Sequence, residues 1–90
     1  AAECARVLAP GGVLLATLPC VSRVSVEYGP DGDFWRVTEA GARQVFASAF
    51  EPADVQVESL GNVLTTTAFL HGLGASELTP AEYAVTDPFN

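Results

Sequence analysis

No lysine and no methionine occur among these 90 residues, tryptophan and histidine occur once each, and cysteine occurs twice. The fixed cations are Arg6, Arg23, Arg36 and Arg43, set against 11 acids for a formal net charge of −7. Beyond Arg43 come six acids and no lysine or arginine. A surface of that sign repels phosphate backbones, because nucleic-acid affinity comes largely from lysine and arginine displacing condensed counterions, so no nucleic-acid-binding face is expected. No apolar run approaches the ~18 residues that a membrane span needs. No basic amino-terminal region precedes an apolar stretch, as a secretion signal requires. Cys4 and Cys20 are too few for a disulfide framework, so reduced thiols and a cytoplasmic setting are expected. Two cysteines and one histidine at unrelated spacings give no metal-site signature.

What remains is apolar. The hydrophobic share is 49% and the charged share 17%, the balance of a packed chain rather than a disordered one. Ninety residues suffice for one domain, which buries only roughly 60–65% of its unfolded surface and is marginal for that reason.

Residues 1–9 put Cys4, Val7 and Leu8 on one face at helical spacing, with Glu3 and Arg6 three apart on another. Pro10 and Gly11 then turn the chain. Residues 13–18 (Val-Leu-Leu-Ala-Thr-Leu) are apolar on both faces, which predicts a parallel strand covered by helices. Residues 19–37 form a connection far longer than the usual ~4–6 residues, and long loops tend to carry function. Thr38 can cap a helix in which Ala42, Val45, Phe46, Ala49 and Phe50 fall on one stripe, and Pro52 stops it. The alternation in residues 55–60 predicts an edge strand. Asn62 can cap a helix running to about Leu73, although the β-branched Thr65-Thr66-Thr67 favours strand. Gly72 and Gly74 end it, and Thr79-Pro80-Ala81-Glu82 has the capping-box pattern of a last short helix.

Arg6-Val-Leu-Ala-Pro-Gly-Gly12 with the strand after it, Gly32-Asp-Phe-Trp-Arg-Val-Thr38, Gly61-Asn62 before an apolar segment, and Glu77-Leu-Thr-Pro-Ala-Glu82 together resemble a family. It is the class I S-adenosylmethionine-dependent methyltransferases, in a subgroup found among bacterial proteins, and the likeness runs along the whole chain. The resemblance implies an α/β fold class: a fragment of a Rossmann-like sheet with flanking helices, in which the fifth and sixth strands are present and the last strand, due after Asn90, is missing. Residues 1–90 would then be a partial methyltransferase domain, its acceptor-side, carboxyl-terminal half, with no complete second domain. The cofactor implied is S-adenosylmethionine, yet the glycine-rich turn and the acidic residue that hold it in the family have no counterpart here. The partners implied are a small-molecule or glycan acceptor and the missing remainder of the domain. Isolated from that remainder, the two strands would lack ladder partners and the chain would fold poorly.

In open α/β sheets ligands lie outside the carboxyl ends of the strands, which directs attention to the loop after Pro19. Tyr28, Asp33, Trp35 and Arg36 are the expected substrate-binding residues, aromatic walls with a few placed polar groups being typical of such pockets. The plainer expectation is that Trp35 packs the loop onto the core while Arg36 pairs with Asp33 or Glu39. Gly72-Leu-Gly74 lacks the third glycine of a dinucleotide fingerprint and reads as a helix stop. Cys20 is expected to be buried among apolar groups rather than to serve as a nucleophile with His71. Two other functions compete: a non-enzymatic acidic α/β interaction module, and a degenerate methyltransferase-like domain that no longer binds cofactor.

Overall fold

The computed structural model describes residues 1–88. It contains four α-helices, α1 (Ala2–Val7), α2 (Glu39–Ala47), α3 (Val63–Leu70) and α4 (Pro80–Tyr83), with short 3₁₀ turns at Val26–Tyr28, Pro52–Asp54 and Ala75–Glu77. Among the described residues there is no β-strand. The expected α/β class, a Rossmann-like sheet fragment with fifth and sixth strands, is therefore corrected: this is a helical chain with irregular connections.

The reason lies in what strand propensity measures. Aliphatic and β-branched residues favour strands because they fit a pleated surface packed on its neighbours, and a strand without a ladder partner has nowhere to place its backbone groups except in water. Residues 13–18 adopt that solvated state, with Val13 85% and Leu15 90% exposed. In residues 55–58 the alternation survives without the ladder: Val55 and Val57 are half-buried while Gln56 and Glu58 are exposed.

The chain divides into two units. The first joins Ala1–Cys20 to Trp35–Glu58. In it, α1 carries the expected Glu3–Arg6 pair at 2.5 Å, largely exposed and so of little energetic weight. The Pro10 turn closes with Gly12 N–H donating to the Ala9 carbonyl at 2.8 Å. Thr38 caps α2 as expected, its Oγ1 accepting from Gly41 N–H at 3.1 Å. Ala42 is buried, Phe46, Ala49 and Phe50 are half-buried, and Val45 stays exposed. Arg43 reaches Glu39 at 2.7 Å and the Val57 carbonyl at 3.2 Å, fastening residues 55–58 to α2.

The second unit joins Val21–Phe34 to the segment from Ser59 onward. Here the β-branched run 65–67 is helical after all, because Asn62 and Thr65 form a reciprocal cap. Asn62 Oδ1 accepts from Thr65 N–H at 2.8 Å, and Thr65 Oγ1 accepts from Asn62 N–H at 2.9 Å. One hydroxyl that argued for a strand thus starts the helix. At the other end Gly72, at φ +84°, permits Leu73 N–H to reach the Ala68 carbonyl (3.0 Å) and Gly72 N–H the Phe69 carbonyl (3.0 Å), the paired bonds of a Schellman stop. Thr79 and Glu82 cap α4 in the same reciprocal way as Asn62 and Thr65, at 3.3 and 2.6 Å.

The interior is small. Among the described residues only Ala42, Asn62 and Ala68 are buried, and no large side chain is. The chain exposes 7537 Å², about half as much again as the roughly 5000 Å² of a compact monomer of its mass. Heating the isolated chain is accordingly expected to give a broad, shallow loss of helical circular dichroism with no calorimetric peak; a sharp cooperative transition would contradict this exposure.

Candidate functional site

The four residues singled out in the sequence lie on the connection between residues 19 and 37. Its base is tied in the first unit by Val37 N–H donating to the Pro19 carbonyl at 2.9 Å. Further along, in the second unit, the Asp33 carboxylate accepts from Ser25 N–H at 2.7 Å. This bond closes a small ring around the Val26–Tyr28 turn, which itself ends with Gly29 N–H donating to the Val26 carbonyl at 3.3 Å. Gly32 completes the ring by close approach: a Cβ at that position would lie 2.3 Å from the Tyr28 carbonyl oxygen. Only glycine fits there.

Asp33 is therefore a fastening residue whose carboxylate is engaged by the loop backbone. Tyr28 projects from the ring and is 69% exposed. In the first unit, Trp35 is 78% exposed, which overturns the expectation that it packs the loop onto a core. Arg36 is half-buried, its Nη1 donating to the Trp35 carbonyl at 3.0 Å. Tyr28 and Asp33 thus belong to one unit, Trp35 and Arg36 to the other.

Cys20 is exposed, against the expectation of apolar burial. His71 is exposed at the carboxyl end of α3. No group of three histidine, cysteine or acidic side chains among the described residues could hold a metal ion. Open grooves are found in both units. One of about 640 Å³ in the first unit is lined by Ala5, Leu8, Ala9, Ala47, Phe50 and Pro52. The other, of about 390 Å³ in the second, runs along residues 22–27 against Phe69. The first groove also takes in Gly12 of the Pro-Gly-Gly turn and Glu51, but that turn follows α1 rather than a strand and opens no helix, so the residues present do not form the strand–turn–helix cradle of an S-adenosylmethionine site.

The residue that sequence reading undervalued is Asn62. It is 5% exposed, and beyond capping α3 its amide donates to the carbonyls of Glu82 (2.9 Å) and Val85 (2.9 Å), with that of Tyr83 at 3.4 Å. Asp87 completes the arrangement, both carboxylate oxygens lying 3.0 Å from Val63 N–H. The sequence signal was the Gly-Asn pair before an apolar run, which identifies a cap but not its distant partners.

The chain matches no family model, no curated protein and no solved structure. The likeness to methyltransferases accordingly rests on the quoted residues alone. Among the described residues, no helix is long and apolar enough to cross a membrane.

Proposed function

We propose that this chain is the acceptor-side part of a cytoplasmic S-adenosylmethionine-dependent methyltransferase, inert alone and completed by polypeptide that carries the cofactor site. The observation that carries this reading is the loop. Its backbone is fastened at Pro19–Val37 and at Ser25–Asp33, while Tyr28 and Trp35 present their rings to solvent. In the first unit, Trp35 stays outside the core on a pinned backbone next to Arg36, which suits the recognition of a small molecule or glycan whose apolar ring face stacks on an aromatic and whose hydroxyls take polar partners. Tyr28 offers an aromatic face of its own in the second unit. The methyl donor arrives already activated as a sulfonium, so the protein's share of the chemistry is chiefly to hold the acceptor in line. No residue of this chain is assigned as a general base.

Calorimetric titration of S-adenosylmethionine into the 90-residue chain, and in parallel into the protein extended at both ends from its gene, tests the proposal. Heat of binding is expected from the extended protein only. Binding by the short chain would overturn the division of labour. Binding by neither would overturn the methyltransferase reading and leave the degenerate methyltransferase-like domain or the acidic interaction module, the latter also favoured by the exposed apolar residues.

A further inference from the structure

The second unit contains a helix with one face left uncovered. α3 reads Val-Leu-Thr-Thr-Thr-Ala-Phe-Leu, five apolar residues and three threonines with no charge on any face, and helices of that composition are normally covered over much of their surface. Here only Ala68 is buried. Val63, Thr67 and Leu70, at i, i+4 and i+7, form one exposed stripe with Leu64 beside it, Val63 being 65% exposed.

The unit that carries the stripe is strongly negative. The Asp87 carboxylate is held at its amino-terminal end by Val63 N–H, and α4, which carries Glu82, packs against α3. Across the unit six acids, Glu27, Asp31, Asp33, Glu77, Glu82 and Asp87, are set against Arg23, a net charge of −5. A second copy of the chain would bring the same negative charge to the same face, and like-charge juxtaposition opposes that pairing. An uncharged apolar segment would cover the stripe and leave the field uncompensated. What complements both features is a helix with aliphatic side chains along one face and lysine or arginine flanking them.

We propose that the α3 stripe is a docking surface for a cationic amphipathic helix of another polypeptide. The proposal is independent of the methyltransferase reading, since the stripe, Glu77, Glu82 and Asp87 all lie outside the loop. Its test is fluorescence anisotropy with the full chain and a labelled leucine/lysine peptide of about 16 residues, long enough to hold a helix. Two control peptides accompany it: one with glutamate in place of every lysine, and one with the cationic composition scrambled out of helical register.

The cationic peptide is expected to bind, more weakly as salt is raised from about 0.05 to about 0.5 M. Leu70→Lys should weaken it about tenfold by removing an anchor and adding repulsion. Because Leu70 is partly covered, Thr67→Lys provides the same test at a second exposed position, with unchanged circular dichroism as its folding control. The triple substitution E77Q/E82Q/D87N keeps an acceptor oxygen at each site while removing the charge, and should also weaken binding about tenfold. Absence of binding, equal binding of either control peptide, or indifference to Thr67→Lys would overturn the proposal. So would sedimentation showing that the chain dimerises through this stripe and that Thr67→Lys makes it monomeric.

Discussion

Replacing Asn62 by alanine is expected to dissolve the α3–α4 hairpin while leaving α2 untouched. The substitution removes the acceptor for Thr65 N–H at the start of α3 and the donors to the carbonyls of Glu82 and Val85. Loss of an N-cap costs about 1 kcal/mol, and stranding carbonyls in a part-buried site adds about 1–3 kcal/mol more. In a unit whose buried residues, among those described, are Asn62 and Ala68, that sum is decisive. Amide hydrogen exchange reads it directly: protection in residues 66–73 should fall to the level of the loops, while α2 amides exchange as before. Asn62→Asp separates the two contributions. The carboxylate still accepts from Thr65 N–H but cannot donate, so α3 should keep partial protection while α4 loses its own. An alanine variant with intact protection in both helices would show that the hairpin is held by something else.

The second large effect is expected at Gly32. A methyl group there would lie 2.3 Å from the Tyr28 carbonyl oxygen and 2.6 Å from the Tyr28 Cβ. The obstructing atoms are backbone and the root of a side chain, so no rotamer change relieves the clash. The ring must open. Gly32→Ala should therefore break the Ser25–Asp33 bond, at a cost of about 1–3 kcal/mol, the range of overpacked sites. In nuclear magnetic resonance spectra the Ser25 amide proton, shifted by donation to a carboxylate, should move to a random-coil position, with α3 resonances unchanged as the internal control. If Ser25 keeps its shift in the alanine variant, the ring is not closed by Gly32.

What sequence reading captured is what short-range chemistry decides. Thr38, Asn62 and Thr79 each cap a helix because the acceptor and the amide it satisfies are three residues apart, a distance visible in the sequence itself. Gly72 stops α3 for an equally local reason. The strands at residues 13–18 and 55–60 failed because a ladder is a relation between distant segments. Apolarity at Val13 and Leu15 shows that they would gain from burial, and nothing in residues 13–18 says against what. The same limit explains the site. Residue spacing marked the stretch 19–37 as a long connection, but not the Ser25–Asp33 bond that organises it, nor the exposure of Trp35. It also gave Asn62 its cap without its partners 20 to 23 residues away.

That separation sets the order in which the chain can acquire structure. The Asn62–Thr65 box closes over three residues and needs only local search, so α3 can start by itself. The carbonyls of Glu82 and Val85 become acceptors for Asn62 only after a loop of some twenty residues has closed, a step whose entropic cost grows with the logarithm of its length. The amide that receives them is already oriented by the cap. α4 is thus the dependent element: its hydrogen bonds run to a side chain that the α3 cap already orients, so losing α4 need not undo the cap, whereas losing the cap leaves α4 without its donor.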